Sequence, residues 1–253
     1  MEPTAAPQPA PPTLISSREA RLWVALAAVM ITSAVVAELV SVKLFQVPFY
    51  GFLGWDRQFT LTCGALLWPL VFLATDTINE FFGRRAVRFV TWVTMAMITW
   101  TFLVVTASIR IPAVGFSPVP DEPFALVFGQ SAWIIVGSML AFLVSQLVDV
   151  TVFHWIRRQL GGRHIWARAT GSTIVSQLID SFVVIYIAFW LPGQIGGKGV
   201  DGMTALDISL SSFGYKVGVA ILLTPLVYAT HWAVEQWLGK DVAHALAEDA
   251  ARG

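Results

Sequence analysis

Residues 127–155 read VFGQSAWIIVGSMLAFLVSQLVDVTVFHW, and the run carries a single formal charge, at Asp149. A helix needs about 20 apolar residues to cross the hydrocarbon core of a bilayer, and this run is long enough. Working outward, the same pattern recurs at about Leu22–Phe45, Phe59–Ile78, Ala86–Ile109, Thr170–Leu191 and Ile208–Ala233. The reading is an all-α, polytopic membrane protein whose six transmembrane helices fill residues 18–233. A Pro-, Ala- and Ser-rich segment over residues 1–17 reads as a disordered cytoplasmic tail. Residues 234–253 read as a cytoplasmic C-terminal tail, short and amphipathic or frayed. Composition agrees: 56% of the chain is hydrophobic and 13% charged, where a soluble domain carries about 25% charged residues.

Lysine and arginine set the expected orientation. Arg18, Arg21, Arg84, Arg85, Arg88, Arg157, Arg158, Arg163, Arg168, Lys240 and Arg252 fall on one side of six alternating helices. Arg57, Arg110 and Lys198 fall on the other. Both termini are therefore expected in the cytoplasm, with the protein multi-pass in the bacterial inner membrane. The first block resembles a signal peptide in having Arg18 and Arg21 before it. Its apolar run is long for a leader, however, and Glu38 and Lys43 would serve nothing in a discarded segment. The outer links are rich in proline (Pro112, Pro118, Pro120, Pro123) and glycine (Gly193, Gly196, Gly197, Gly199), and read as structured lids more than helices.

Several function classes drop out. The net charge is zero, so no basic face for nucleic acid is expected. The lone Cys63 permits neither an intrachain disulfide nor an all-cysteine metal site. No P-loop, HExxH or GxSxG is present. His154, His164, His231 and His244 are scattered, the first two reading as interfacial. Ser145, Ser172 and Ser176 neighbour carboxylates without a candidate base. No catalytic set, metal site or cofactor is expected.

What remains is charge inside apolar helices. A charged side chain at the bilayer centre costs about 2.5–3.5 kcal/mol on insertion scales. Glu38, Lys43, Asp76, Glu80, Asp149, Asp180 and Lys216 all lie in or near the ends of the apolar blocks. Helix-end placement explains Glu80, beside Gly83 and Arg84, better than it explains Asp180 or Lys216. A purely structural ion pair is the other plain explanation.

A repeat sharpens the case. Val144-Ser-Gln-Leu-Val-Asp149 recurs as Val175-Ser-Gln-Leu-Ile-Asp180. The offset is one helix plus one loop, so the copies are inverted relative to each other, a habit of transporter sites. A packing motif built on the small serine is the competing reading. Gln and Asp three residues apart share a helix face, offering an amide beside a carboxylate. That set suits a flat polar heterocycle with mixed donors and acceptors, or a cation. Gln146, Asp149, Gln177 and Asp180 are expected around one central pocket with Lys216 nearby, closed by Asp76 and Glu38. The helices carrying the repeat should pack antiparallel, and the two faces converge only if the copies lie at similar depth. Lys43, Asn79 and Glu80 are weaker candidates.

Four segments in order carry a resemblance: WPLVFLATDTINEFFGRR at 68–85, SQLVDVTVFHWIR at 145–157, GSTIVSQLID at 171–180 and FGYK at 213–216. Over about residues 25–232 the chain resembles the putative vitamin uptake family, whose characterised bacterial members carry queuosine precursors. It is similar to the six-helix substrate-binding subunits of energy-coupling-factor vitamin transporters. The resemblance implies uptake of a 7-deazaguanine such as preQ0 or preQ1 for queuosine synthesis in tRNA. This chain has Glu38 where family members often carry Asn. The expected partners are the small-molecule substrate and membrane lipid. A homodimer and an energy-coupling partner chain stay open, as does a vitamin-binding subunit that depends on such an ATPase module.

Overall fold

The computed structural model describes residues 17–52, 55–129, 132–160, 164–195 and 199–252. Residues 1–16 of the tail expected over 1–17, and Arg163, Gly196, Gly197 and Lys198 in the links, lie outside the described residues.

Helix α1, Arg18–Val40, starts at Ser17, whose hydroxyl accepts the Ala20 amide at 3.1 Å. This satisfies one of the amides that every helix start leaves open. Ala27, Met30, Ala34 and Ala37 recur at three- and four-residue spacing and are buried, which gives α1 a narrow stripe of mostly small residues against the next helix. Val24, Val29 and Val36 on the opposite side stay exposed.

After α1 the chain departs from the all-helical expectation. Strands β1 (Leu44–Phe52) and β2 (Trp55–Thr62) pair antiparallel from Leu44–Thr62 to Phe52–Trp55. The block read as starting at Phe59 therefore begins as strand, where Phe-Thr-Leu-Thr alternates with period two. A 3₁₀ turn over Cys63–Leu66 leads into the next helix. Gly64 in that turn sits so close to α1 that a β-carbon would lie 2.5 Å from the Ala37 carbonyl oxygen.

Helix α2, Trp68–Ile109, spans 42 residues. At 1.5 Å per residue that is about 63 Å, roughly twice a hydrocarbon core. It is interrupted at Gly83, whose φ of 77° and ψ of −179° are open to glycine and strained for other residues. Val71, Ala74 and Ile78 before the break share one apolar cluster with Val87, Val90, Ile98 and Phe102 after it, together with the α1 stripe and Phe142.

Beyond α2 come a short helix α3 (Asp121–Phe128), then α4 (Ala132–Leu160) and α5 (Ile165–Ile185). A π-helical turn, Tyr186–Trp190, runs into α6 (Leu191–Gln194), where Pro192 has no amide to keep the α-pattern. α3 and α6 place short helical pieces in links read as lids. α7, Gly202–Leu238, is capped by Asp201, which accepts the Met203 and Thr204 amides at 2.9 and 3.1 Å. The Thr204 hydroxyl, with those amides, holds the Asp201 carboxyl below the usual carboxylate range. Among the described residues five helices are long and apolar enough to cross a membrane: α1, α2, the stretch ending in α4, the run from α5 through α6, and α7.

The C-terminal segment is ordered helix. Gly239, at φ 91°, ends α7 and allows the turn into α8, Lys240–Arg252. Ala243, Leu246, Ala247 and Ala250 form one apolar stripe on α8. Ala243 is fully buried in a cluster with Phe81, Val234 and Leu238. α8 lies against Gly83, where a β-carbon would meet the Ala250 backbone at 3.2 Å.

Candidate functional site

Helices α4 and α5 are close antiparallel neighbours. Close approach is possible because Gly137 of α4 faces Ala188 near one end and Gly171 of α5 faces Ile156 near the other. Midway, the Ser176 hydroxyl donates to Asp149 Oδ1 at 3.1 Å, and Ser172 faces the same carboxylate. The contact brings the Ser176 of one repeat copy to the Asp149 of the other, so the two motifs lie at similar depth. Gln146, Asp149 and Gln177 are all buried.

The repeat is not symmetric in its partners. Asp149 receives hydroxyls, whereas Asp180 forms an ion pair with Lys216 of α7. Ser145, the counterpart of Ser176, bonds the Phe142 carbonyl three residues back, as Ser176 does that of Thr173. α5 and α7 meet again at Thr170 and Thr224, whose hydroxyls are 2.9 Å apart.

Helix α2 supplies the third wall. Thr75, Asp76, Asn79 and Glu80 are buried, in accord with their three- to four-residue spacing. The Gln146 amide donates to the Thr75 hydroxyl at 3.4 Å, linking α4 to α2. Asp76 lies within electrostatic reach of Asp149 and Glu80. Glu38 of α1 accepts a hydrogen bond from Ser138 at 2.7 Å and lies within electrostatic reach of Asp180. Side-chain oxygens of Asp76 (Oδ1), Gln146 (Oε1) and Gln177 (Oε1), and both amide atoms of Asn79, are buried without a hydrogen-bond partner among the described residues. A buried polar atom in that state costs free energy comparable to a lost hydrogen bond.

Of the expected residues, Lys43 stands apart. It lies in the turn after α1 with its side chain exposed. Glu80 was read as a helix-end residue reaching the headgroups, but it is buried. Its Oε1 accepts from Arg168 at 2.7 Å, with Arg157 at 3.6 Å and His231 at 4.0 Å. Arg157 and Arg168, counted in the sequence as link charges, are buried at 8% and 3% exposure. Arg157 also donates to the backbone carbonyls of Glu80 and of Ala247 in α8. His154, read as interfacial, is buried. Sequence reasoning missed Thr75, Ser138, Arg157, Arg168 and His231 as partners of the polar interior. The basic residues follow the charge pattern of a loop, and only packing shows that two of them turn inward.

Two cavities border Asp76. One, of about 10 Å³, lies among Phe72, Asp76, Thr173, Ala220 and Val227. The other, of about 20 Å³, lies among Asp76, Glu80, Phe81, Ala169 and His231. Each has room for about one water. Pro225 in α7, with no amide to donate, leaves the helix a weak point beside these cavities.

Comparison with known proteins places this arrangement. The family described as putative vitamin uptake transporter matches residues 62–230. The chain is 33% identical over 172 residues to the probable queuosine precursor transporter of Bacillus subtilis (strain 168), covering 67% of this chain and 71% of the relative. It is 27% identical over 178 residues to the queuosine precursor transporter of Escherichia coli (strain K12), covering 65% and 69%. It is 30% identical over 138 residues to the probable queuosine precursor transporter of Haemophilus influenzae (strain ATCC 51907 / DSM 11121 / KW20 / Rd), covering 53% and 54%. No solved structure matches. The relatives are named as transporters, and with the five apolar helices they mark a multi-pass protein of the bacterial inner membrane. The chain belongs to the putative vitamin uptake transporter family.

Proposed function

We propose that this protein takes up queuosine precursors, 7-deazaguanines such as preQ0 and preQ1, across the inner membrane. The observation that carries the reading is the set of buried polar atoms on Asp76, Asn79, Gln146 and Gln177 that lack a partner among the described residues, in a chain related to queuosine precursor transporters. A guanine-like edge presents N1–H and a 2-amino group side by side, and a carboxylate accepts both. The ring carbonyl needs a donor, which an Asn or Gln amide or the Lys216 ammonium supplies. The binding set in this reading is Glu38, Asp76, Gln146, Asp149, Gln177, Asp180 and Lys216, with Asn79 added. In this reading a bicyclic base enters beside Asp76 as α5 or α7 draws away from α2. The kink-prone Pro225 lies where that movement would occur.

The same reading takes Gly83 as the turn between two spans, giving six in all with both termini in the cytoplasm. The length of α2 and the arginines directly after Gly83 support it.

The test is queuosine in tRNA from a strain lacking precursor synthesis and every relative of this chain. Expression of this protein alone, with preQ0 or preQ1 supplied at low concentration, is expected to restore the modification. Restoration only with a co-expressed energy-coupling ATPase set would make the chain a binding subunit. No restoration with any 7-deazaguanine would reject the substrate class.

A further inference from the structure

Beyond Gly83, Arg84, Arg88 and Trp92 follow one another at four-residue spacing on α2, along one helix face. On α4, Thr151, Trp155 and Arg158 form a matching stripe. The Arg84 guanidinium donates to the Thr151 hydroxyl at 3.3 Å and joins the two. Arg88 and Arg158 lie within electrostatic reach of Arg84. The buried His154 lies within electrostatic reach of all three, and Arg157 is engaged with Glu80. Among the described residues no carboxylate pairs with Arg84, Arg88 or Arg158. Among the described residues these like charges thus sit together without a paired carboxylate, in contrast to Arg157 and Arg168, which share Glu80.

The surroundings say what kind of anion fits. Trp92 and Trp155 are 55% and 61% exposed, and Phe89 beside them is 58% exposed. Indoles with an apolar body and a polar N–H favour the level of lipid headgroups. Guanidinium groups bind phosphate with paired N–H donors. Exposed aromatics beside a phosphate-binding cluster match a ligand that is both anionic and apolar, which a free anion is not.

We propose that the surface where α2 meets α4 at the Gly83 end binds an anionic phospholipid, its phosphate held by Arg84, Arg88 and Arg158 and its acyl chains lying against Trp92 and Trp155. The lipid supplies the counter-charge and ties α2 to α4 beside the Gly83 break. This site is separate from the buried polar interior and does not depend on the substrate reading.

The test uses the full chain purified in mild detergent, with retained lipid measured by native mass spectrometry. Phosphatidylglycerol is expected to bind in preference to phosphatidylethanolamine. A basic side chain near a headgroup is worth about fivefold in affinity, so Arg158→Gln should weaken phosphatidylglycerol binding by about that factor. The triple variant Arg84→Gln/Arg88→Gln/Arg158→Gln should abolish the preference, and Arg110→Gln at the far end of α2 should leave it intact. Equal retention of the two lipids by the unaltered protein would overturn the proposal. So would an undiminished preference in the triple variant, or displacement of the lipid by millimolar inorganic phosphate, which would make the site one for a soluble anion. Should the triple variant fail to fold, the single change at the exposed Arg158 decides the matter: an unchanged affinity there overturns the proposal.

Discussion

The Ser176 hydroxyl donates to Asp149 at 3.1 Å across the interface of α4 and α5. It connects the two copies of an inverted Ser-Gln-x-x-Asp motif and fixes their common depth. Removing the donor by Ser176→Ala should leave a buried carboxylate oxygen short of a partner, at a cost of about 1–3 kcal/mol. The melting temperature of the detergent-purified protein should fall, and Ser176→Thr should recover part of the loss. Equal melting of Ser176→Ala and the unaltered protein would mean the contact contributes nothing to the register.

Asp180 and Lys216 form an ion pair between α5 and α7. Asp180→Asn should abolish precursor uptake while the protein still reaches the membrane, because Asn presents a donor where a guanine-like edge needs an acceptor. The double variant Asp180→Asn/Lys216→Gln separates the two roles of the carboxylate. If the pair only neutralises charge, the double variant should transport. The binding role predicts that it stays inactive, with uptake and membrane abundance measured side by side.

Gly83 combines a positive φ with contact to the Ala250 backbone. Gly83→Ala should cost about 1–3 kcal/mol from backbone strain alone, and more from the clash with α8. The readout is membrane-inserted yield together with melting temperature. Removing residues 240–253 should relieve only the clash and leave the strain. A Gly83→Ala protein as stable as the original would show that the break in α2 does not need glycine.

The six-span reading makes a topological prediction. A reporter active only in the periplasm, fused after Gly253, should stay silent, and one active only in the cytoplasm should give signal. The reverse pattern would mean that Gly83 lies within a single span.

The membrane class of the fold was legible from the charge-poor run at 127–155 and its fellows, because lipid tolerates little else. The hairpin at Leu44–Thr62 was not, since Phe59–Leu67 is as apolar as a helix start and only its period-two alternation marks a strand. The break at Gly83 was visible as a loop, but not that α8 would pack on it, because Ala243, Leu246, Ala247 and Ala250 find their partners in distant helices. In the polar interior, Asp149, Gln146 and Gln177 stood out by the burial cost of polar groups and by repetition. Glu80 was misplaced because Arg157 and Arg168 look like link charges in the sequence, and their inward turn depends on tertiary packing. Lys43 was suggested by proximity to an apolar block, yet α1 ends at Val40 and leaves it outside.

The central claim is that the buried polar interior recognises a guanine-like edge, and direct binding to the purified protein tests it. Equilibrium binding of labelled preQ1 should be saturable, competed by preQ0, and unaffected by adenine, whose edge lacks the paired N1–H and 2-amino donors. Absence of saturable binding to folded protein, or competition by adenine as effective as by preQ0, would contradict the account.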